Sequence, residues 1–299
     1  MSVSKKLSKA YENAKVIPFN NNSKIVLISD CHRGDGSWND SFAHNQTIFF
    51  AALGYYYDRG YSYIELGDGD ELWENKDMET IIDMHSDVFW KMSKFYEECR
   101  FYTIYGNHDM VKKDKLFAQK KLNSYYDEDK KEFVYLFPDI TIYESIILKD
   151  ESNQKEIFLV HGHQGDFLND TIWKVTRFLV RYLWRPLEAL GVRDPTSTAK
   201  NYKKRGKVEE RVIDWANKKK QMIIIGHTHR PSFPDLGETL YFNTGSCIHP
   251  ICITAIEINR GNISLVKWCT SVNQFQMLGI GREILAGPES IKNFYDKLL

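Results

Sequence analysis

The chain has 299 residues, and its 40 Lys and Arg are balanced by 40 Asp and Glu. That length suits one large domain or two, and residues 1–299 are read here as a single domain. With 42% apolar residues the composition is that of an ordinary globular protein, which excludes a disordered polyelectrolyte, and no run approaches the ~20 apolar residues of a membrane span.

In chain order, residues 1–22 are polar, with Lys5, Lys6, Lys9 and Lys15 scattered among them, and lack the apolar stretch of a secretory signal. Ile25-Val26-Leu27-Ile28 reads as a strand and runs into Asp30-Cys31-His32. A helix is expected over Asn39–Asp58. Tyr63-Ile64-Glu65-Leu66 is the next strand, ending at Gly67-Asp68-Gly69-Asp70-Glu71. A second helix is expected over Met78–Glu98, followed by the strand Tyr102-Thr103-Ile104-Tyr105 and Gly106-Asn107-His108-Asp109. This βαβαβ rhythm implies parallel strands with crossover helices.

Phe133–Phe137, Thr141–Leu148 and Glu156–Val160 read as a meander feeding a second sheet, and its last strand ends at His161-Gly162-His163. Phe167–Lys220 is a helical insert, broken near Gly191–Pro195. Strands return at Met222–Ile225, which ends at Gly226-His227-Thr228-His229, and at Thr239–Phe242, Cys252–Ile258 and Ile263–Trp268. A tail over about 271–299 closes with a helix from Ser290, a plausible N-cap. The five cysteines are odd in number and include no C-x-x-C, so a reducing, cytoplasmic setting fits better than a disulfide framework. Cys247, Cys252 and Cys269 match no common zinc spacing and read as core packing.

Five polar motifs thus follow five apolar strands, where open α/β sheets collect ligands. Strand side chains alternate, so Asp30 and His32 can face one site while Cys31 faces the core, and the same spacing holds for His227 and His229. Taken singly, each motif reads as well as a turn or a strand end; taken together, in order, they read as one metal site. His44, His85 and His249 match no ligand motif and read as surface or packed histidines.

The ordered set, D-x-H, GDxx(D/E), GNH(D/E), H-G and GHxH, resembles the calcineurin-like metallophosphoesterase superfamily over roughly residues 24 to 258. The resemblance implies an α/β fold, a two-sheet β-sandwich flanked by helices. It implies a first metal held by Asp30, His32 and His229, a second held by Asn107, His161 and His227, and Asp68 bridging both. Mixed His/Asp/Asn ligation without thiolate suits two divalent transition metals, manganese first, with iron or zinc as alternatives. The implied reaction is hydrolysis of a phosphate ester or pyrophosphate by a metal-bridging hydroxide. By the same resemblance His108 stabilises developing charge or protonates the leaving oxygen, and Asp109 is placed to orient it.

Substrate readings rest on residues outside the ligand set. Arg33 reads equally as a phosphate contact or a solvated arginine, and His163 as a neighbour of the metals or a substrate contact. Asp70 and Glu71 lie near the site, or only bond local backbone. The insert 167–220 holds fourteen Lys and Arg against six Asp and Glu, so the remainder of this neutral chain is acidic. Lys174, Arg177, Arg181 and Arg185 fall at helical spacing, flanked by Trp173 and Trp184. The stripe reads either as a solvated lid face or as a basic, apolar-walled cleft for a phosphate-containing amphiphile or nucleotide.

The insert's position resembles the UDP-2,3-diacylglucosamine pyrophosphatase-like branch, from which His163-Gln164 after His161-Gly162 departs. A small-molecule or amphiphilic phosphate substrate is expected, with peripheral contact at a membrane compatible with it. A protein Ser/Thr phosphatase, a nuclease tracking a phosphate backbone and a non-catalytic scaffold are the alternatives. The last is disfavoured because no ligand position is lost.

Overall fold

The computed structural model describes residues 2–127, 130–166, 173–184, 202–272 and 276–297. Two main sheets pack face to face. One has seven strands: β2 (Lys24–Ile28), β3 (Ser62–Leu66), β4 (Phe101–Ile104) and β7 (Ile142–Tyr143) run parallel, and β12 (Cys252–Asn259), β13 (Asn262–Val272) and β14 (Leu278–Ser290) add an antiparallel extension beside β2. The other has five, in the order β1 (Lys15–Phe19), β8 (Ser145–Asp150), β9 (Glu156–Val160), β10 (Met222–Ile225), β11 (Tyr241–Asn243). A separate hairpin joins β5 (Ser124–Asp127) and β6 (Glu132–Tyr135).

The strand alternation explains why the apolar runs are unbroken. Ile25 and Leu27 of β2 meet Ile157 and Leu159 of β9 and Met222 and Ile224 of β10 between the sheets. The alternate residues Val26 and Ile28 face outward, under helices α2 (Gln46–Asp58) and α4 (Ser86–Glu97), among Phe49, Leu53, Phe89 and Phe95. On the far side Phe158, Ile223 and Ile225 pack against Leu7 and Trp215 of two further helices. Strands covered on both faces need side chains that are apolar at every position.

Several elements differ from the sequence expectation. Residues 3–12 form a helix, α1 (Val3–Glu12), whose Leu7 and Ala10 are buried. The expected Asn39–Asp58 helix starts only at Gln46, because Asp40 Oδ1 accepts the N–H groups of Phe42 and Ala43 in a turn. The Met78–Glu98 helix is two, α3 (Met78–Met84) and α4, broken at His85. Its buried ring bridges Asp40 Oδ2 at 2.9 Å and Gln46 Oε1 at 2.8 Å, so His85 is a packed histidine.

The meander divides among all three sheets: β6 in the hairpin, β7 at the edge of the larger sheet, β8 and β9 in the smaller. Helix α5 (Lys115–Lys121) precedes the hairpin. In the insert, α6 (Trp173–Leu179) continues as a π-helical turn, Val180–Trp184, and α7 (Tyr202–Lys219) leads into β10. Arg185 and the break near residues 191–195 lie outside the described residues. The tail contains the 13-residue strand β14, long despite its glycines because pairing along β13 fixes it. Ser290 stands at the N-cap position of α8 (Ile291–Asp296), without a side-chain cap bond. No helix among the described residues is long and apolar enough to cross a membrane.

Candidate metal centre

The ends of β2, β3, β4, β9 and β10 meet where the two sheets come together. Their loops are laced by backbone bonds, Asp30 N–H to Gly67 O at 3.1 Å, His32 N–H to Asp68 O at 2.9 Å and Gly226 N–H to His161 O at 3.0 Å. The spacing alone suggested that strand alternation aims the expected ligands, and it does not. β2 ends at Ile28 and β10 at Ile225, and Asp30, His32, Asp68, His227 and His229 all have positive φ, from 49° to 64°. A left-handed residue costs strain, which the surrounding lacework offsets and which turns each side chain into the site. Gly106 supplies the close approach: a Cβ there would collide with the Asp68 carboxylate and backbone.

Among the described residues three groups could hold an ion: two carry the expected ligands, and the third is His32, Glu71 and His108. Asp30, His32 and His229 offer atoms within 4.8 Å of one another, and so do Asp68, His161 and His227. In the first, His32 Nε2 lies 3.2 Å from His229 Nε2, which itself lies 3.1 Å from Asp30 Oδ1. In the second, His161 Nε2 lies 3.1 Å from Asp68 Oδ2 without hydrogen-bond geometry, and His227 Nε2 is buried without a partner. Both polar atoms of the buried Asn107 side chain also lack a partner among the described residues. Buried amide and imidazole atoms left this way are costly unless something else binds them. The chemistry of the set, nitrogen and oxygen donors converging in pairs, fits two cations.

Tautomers fall in line with that fit. His161 donates its Nδ1–H to Leu66 O at 2.8 Å, and His32 donates its Nδ1–H to Glu71 Oε2 at 2.8 Å, so each presents an Nε2 lone pair inward. Electrostatics agree. Burial raises the Asp30 carboxyl, but His229 and His161 outweigh it and hold the pKa down at about 2. Burial lowers His161, but Asp68 and Asp30 push it up to about 9, while burial and His161 push His227 down to about 3. Two buried carboxylates demand positive charge at this point, as a proton on His161 or as metal.

Glu71 is the residue the sequence left open. Its carboxylate accepts from Nδ1 of both His108 (2.8 Å) and His32, and also from the N–H groups of Trp73 and Glu74. His108 is thereby held against Glu71, with its ring flat on Trp73 at 4.2 Å and edge-on to His32 at 4.6 Å. Burial lowers its pKa, yet Glu71 and Asp68 raise it to about 10. Among the described residues no hydrogen bond joins Asp109 to the His108 ring, whose Nδ1 goes to Glu71. Its oxygens accept from Gly106 N–H (2.7 Å), Gly69 N–H (3.1 Å) and Lys112 (2.8 Å), fixing the two glycine loops instead. The spacing signal was present, since Glu71 is the third residue after Asp68, but sequence adjacency drew attention to Asp109.

Arg33 is neither a phosphate contact nor solvated. It is fully buried behind the site, its guanidinium donating to Asp70 Oδ1 at 2.6 Å and Glu65 Oε1 at 2.7 Å, and Lys112 also pairs with Asp70. His163 is buried with its ring 5.5 Å from His161 and 6.1 Å from Tyr105. Burial and the neighbouring His161 keep its pKa well below the usual value. The basic stripe is not one surface: Lys174 is exposed, Arg177 lies 4.9 Å over the Trp173 ring, and Arg181 turns into the domain.

The second insert helix also grips the ligand loops. Glu209 accepts from Thr228 Oγ1 at 2.9 Å and Arg211 donates to Gly165 O at 3.0 Å. His249 lies on the rim, half-buried, close enough for His229 to depress its pKa after burial. Cys31 and Cys247 are buried core residues, Cys252 and Cys269 pair across β12 and β13, and no cysteine joins a ligand cluster among the described residues.

Residues 23–231 match the calcineurin-like phosphoesterase family, and the chain belongs to it. Solved structures with a similar course include a predicted phosphoesterase of Streptococcus pneumoniae TIGR4, at 13% identity and TM-score 0.35, covering 88% of this chain and 97% of that one. Vps29 of Chaetomium thermophilum matches at 12% identity and TM-score 0.39, over 88% and 96%. A cold-active protein-tyrosine phosphatase of a psychrophilic Shewanella matches at 12% identity and TM-score 0.37, over 91% and 83%. No curated protein matches the chain.

Proposed function

We propose that this protein is a two-metal phosphoesterase that hydrolyses a phosphate ester or pyrophosphate bond of a small or amphiphilic molecule. The observation that carries the reading is the set of buried donor atoms on Asn107, His161 and His227 that have no hydrogen-bond partner among the described residues, beside the close Asp30, His32 and His229 group. Asp30, His32 and His229 would hold one ion, Asn107, His161 and His227 the other, with Asp68 shared. Bound there, two divalent ions would activate water and neutralise the phosphoryl oxygens.

The chain supplies the rest. Asp68 Oδ1 accepts the His108 N–H at 2.8 Å, which ties the acid–base histidine to the shared ligand. Glu71 occupies the His108 Nδ1–H, so the proton available to a leaving oxygen is on Nε2. Glu71 also steadies the imidazolium, the task assigned from sequence to Asp109.

Manganese is the preferred ion, with iron or zinc as alternatives. An amphiphilic substrate is supported by the net positive charge of the insert and by Val175, Phe178, Tyr182 and Leu183, which it holds exposed. A cytoplasmic protein touching a membrane surface fits that reading. The test is a substrate panel on metal-loaded protein: an aryl phosphate, a bis-aryl phosphodiester, nucleotide diphosphate sugars and single-stranded DNA, each with manganese. Manganese-dependent turnover of a small phosphate ester or a diphosphate is expected. Turnover of DNA alone would mean a nuclease, and no turnover with both metals bound would mean a scaffold.

A further inference from the structure

Arg181 leaves the insert to bind backbone. It lies in the π-helical turn after α6, and its Nε donates to Trp73 O at 2.9 Å. Its Nη2 donates to Leu72 O at 2.6 Å and to Asn75 O at 2.8 Å. Three carbonyls of one short turn converge on one guanidinium, whose planar fork meets them from two separate nitrogens, where a lysine offers a single one. Within the turn the N–H groups of Trp73 and Glu74 donate to the Glu71 carboxylate and Asn75 N–H to Glu71 O at 3.2 Å, whereas the carbonyls of Leu72, Trp73 and Asn75 are the ones Arg181 takes. Lys76, the next residue, lies 5.2 Å over the Tyr182 ring, a second tie between the same two segments.

The turn matters for what it carries. It begins at Glu71, the carboxylate that holds His108 and His32, and it presents the indole of Trp73 flat against the His108 ring. Arg181 is therefore two contacts from the imidazole without touching it.

We propose that Arg181 is a positioning residue for His108, pinning the Leu72–Asn75 turn so that Trp73 and Glu71 fix the imidazole from its face and its Nδ1 edge. The insert then completes the catalytic apparatus, and Arg181 is not the substrate anchor that its place in the basic stripe suggested. The proposal rests on the reading of His108 as the proton-transferring group, but its structural half can be tested without turnover. Misplacing the imidazole is expected to cost roughly 10- to 100-fold in rate.

The experiment uses the full chain loaded with diamagnetic zinc and labelled with 13C in the histidine rings. An indole stacked on an imidazole shifts its ring protons upfield, and His108→Gln identifies the His108 signals. Trp73→Leu gives their position without the indole. In Arg181→Met, the His108 signals are expected to move toward the Trp73→Leu position. Zinc content should hold, and kcat for an aryl phosphate with a poor leaving group should fall roughly 10- to 100-fold at unchanged KM. Arg181→Lys, which keeps the charge but not the fork, should remain impaired.

Unmoved His108 signals in folded Arg181→Met would overturn the proposal, and so would a raised KM with untouched kcat, the pattern of a substrate anchor. If Arg181→Met does not fold, Arg181→Gln is read by the same signals. If the wild-type protein hydrolyses nothing, the functional reading has failed, and the shifts alone decide whether Arg181 positions His108.

Discussion

The ligand loops and the helical insert meet the same site by opposite means. In the loops, side chains are what converge: Asp30, His32, Asp68, Asn107, His161, His227 and His229, the proposed ligands, lie together, and the backbone is bent into left-handed conformations at five of these seven. In the insert, Arg181 and Arg211 recognise backbone carbonyls, while Glu209 accepts from the Thr228 side chain. Side-chain ligation demands residue types at fixed spacing, so it writes a motif. Recognition of carbonyls places no demand on the partner's identity, so it writes none. An arginine that holds a turn and an arginine that waits for phosphate look the same in sequence.

The sharpest way to break that comparison is at the shared ligand. Asp68→Ala should lose both ions by elemental analysis and all metal-dependent turnover, and chelation of the wild-type protein should lower its melting temperature, because ions that bind only the folded state stabilise it. Full activity in Asp68→Ala would end the two-metal reading. Next in size is His108→Ala, which should keep its metal and lose turnover by ~10²–10⁴-fold, with a milder loss for an ester carrying a very good leaving group. Metal loss there would instead make His108 a ligand.

The two carboxylates beside His108 separate the sequence expectation from the geometry. Glu71→Gln should lower kcat by roughly 10- to 100-fold, as outer partners of metal-site histidines do. Asp109→Asn should cost stability first, about 1–3 kcal/mol, because it weakens acceptors for Gly69, Gly106 and the buried Lys112. Its kcat should fall less than that of Glu71→Gln. The reverse order would restore Asp109 as the orienting group.

The smallest effect concerns the buried pair Asp40 and His85, which belongs to no candidate ion-holding group. Burial raises Asp40, but the hydrogen bond and charge of His85, with the N–H groups of Gly36 and Ala43, hold its pKa below the usual carboxylate value. A depressed folded-state pKa means stability that is complete above the unfolded value and is lost as pH falls through the folded one. The destabilisation of Asp40→Asn, measured by urea melts, should therefore shrink toward zero in that acid window. A constant deficit would assign the effect to packing alone.

Sequence by itself determined the five strand-end motifs, the βαβαβ opening and membership of the calcineurin-like phosphoesterase family, since each depends on residue type and local periodicity. The tertiary structure decided the rest. It set the start of α2 and the break at His85 through Asp40, and the long strand β14 through pairing with β13. It replaced strand alternation by left-handed turns as the device that aims Asp30 and His32. It buried Arg33 against Glu65 and Asp70, gave His108 to Glu71 and turned Arg181 inward onto three carbonyls. The physical reason is common to these: a side chain's partner is chosen by long-range packing, and neither a neighbouring acid nor a backbone carbonyl announces in sequence which charge it will receive.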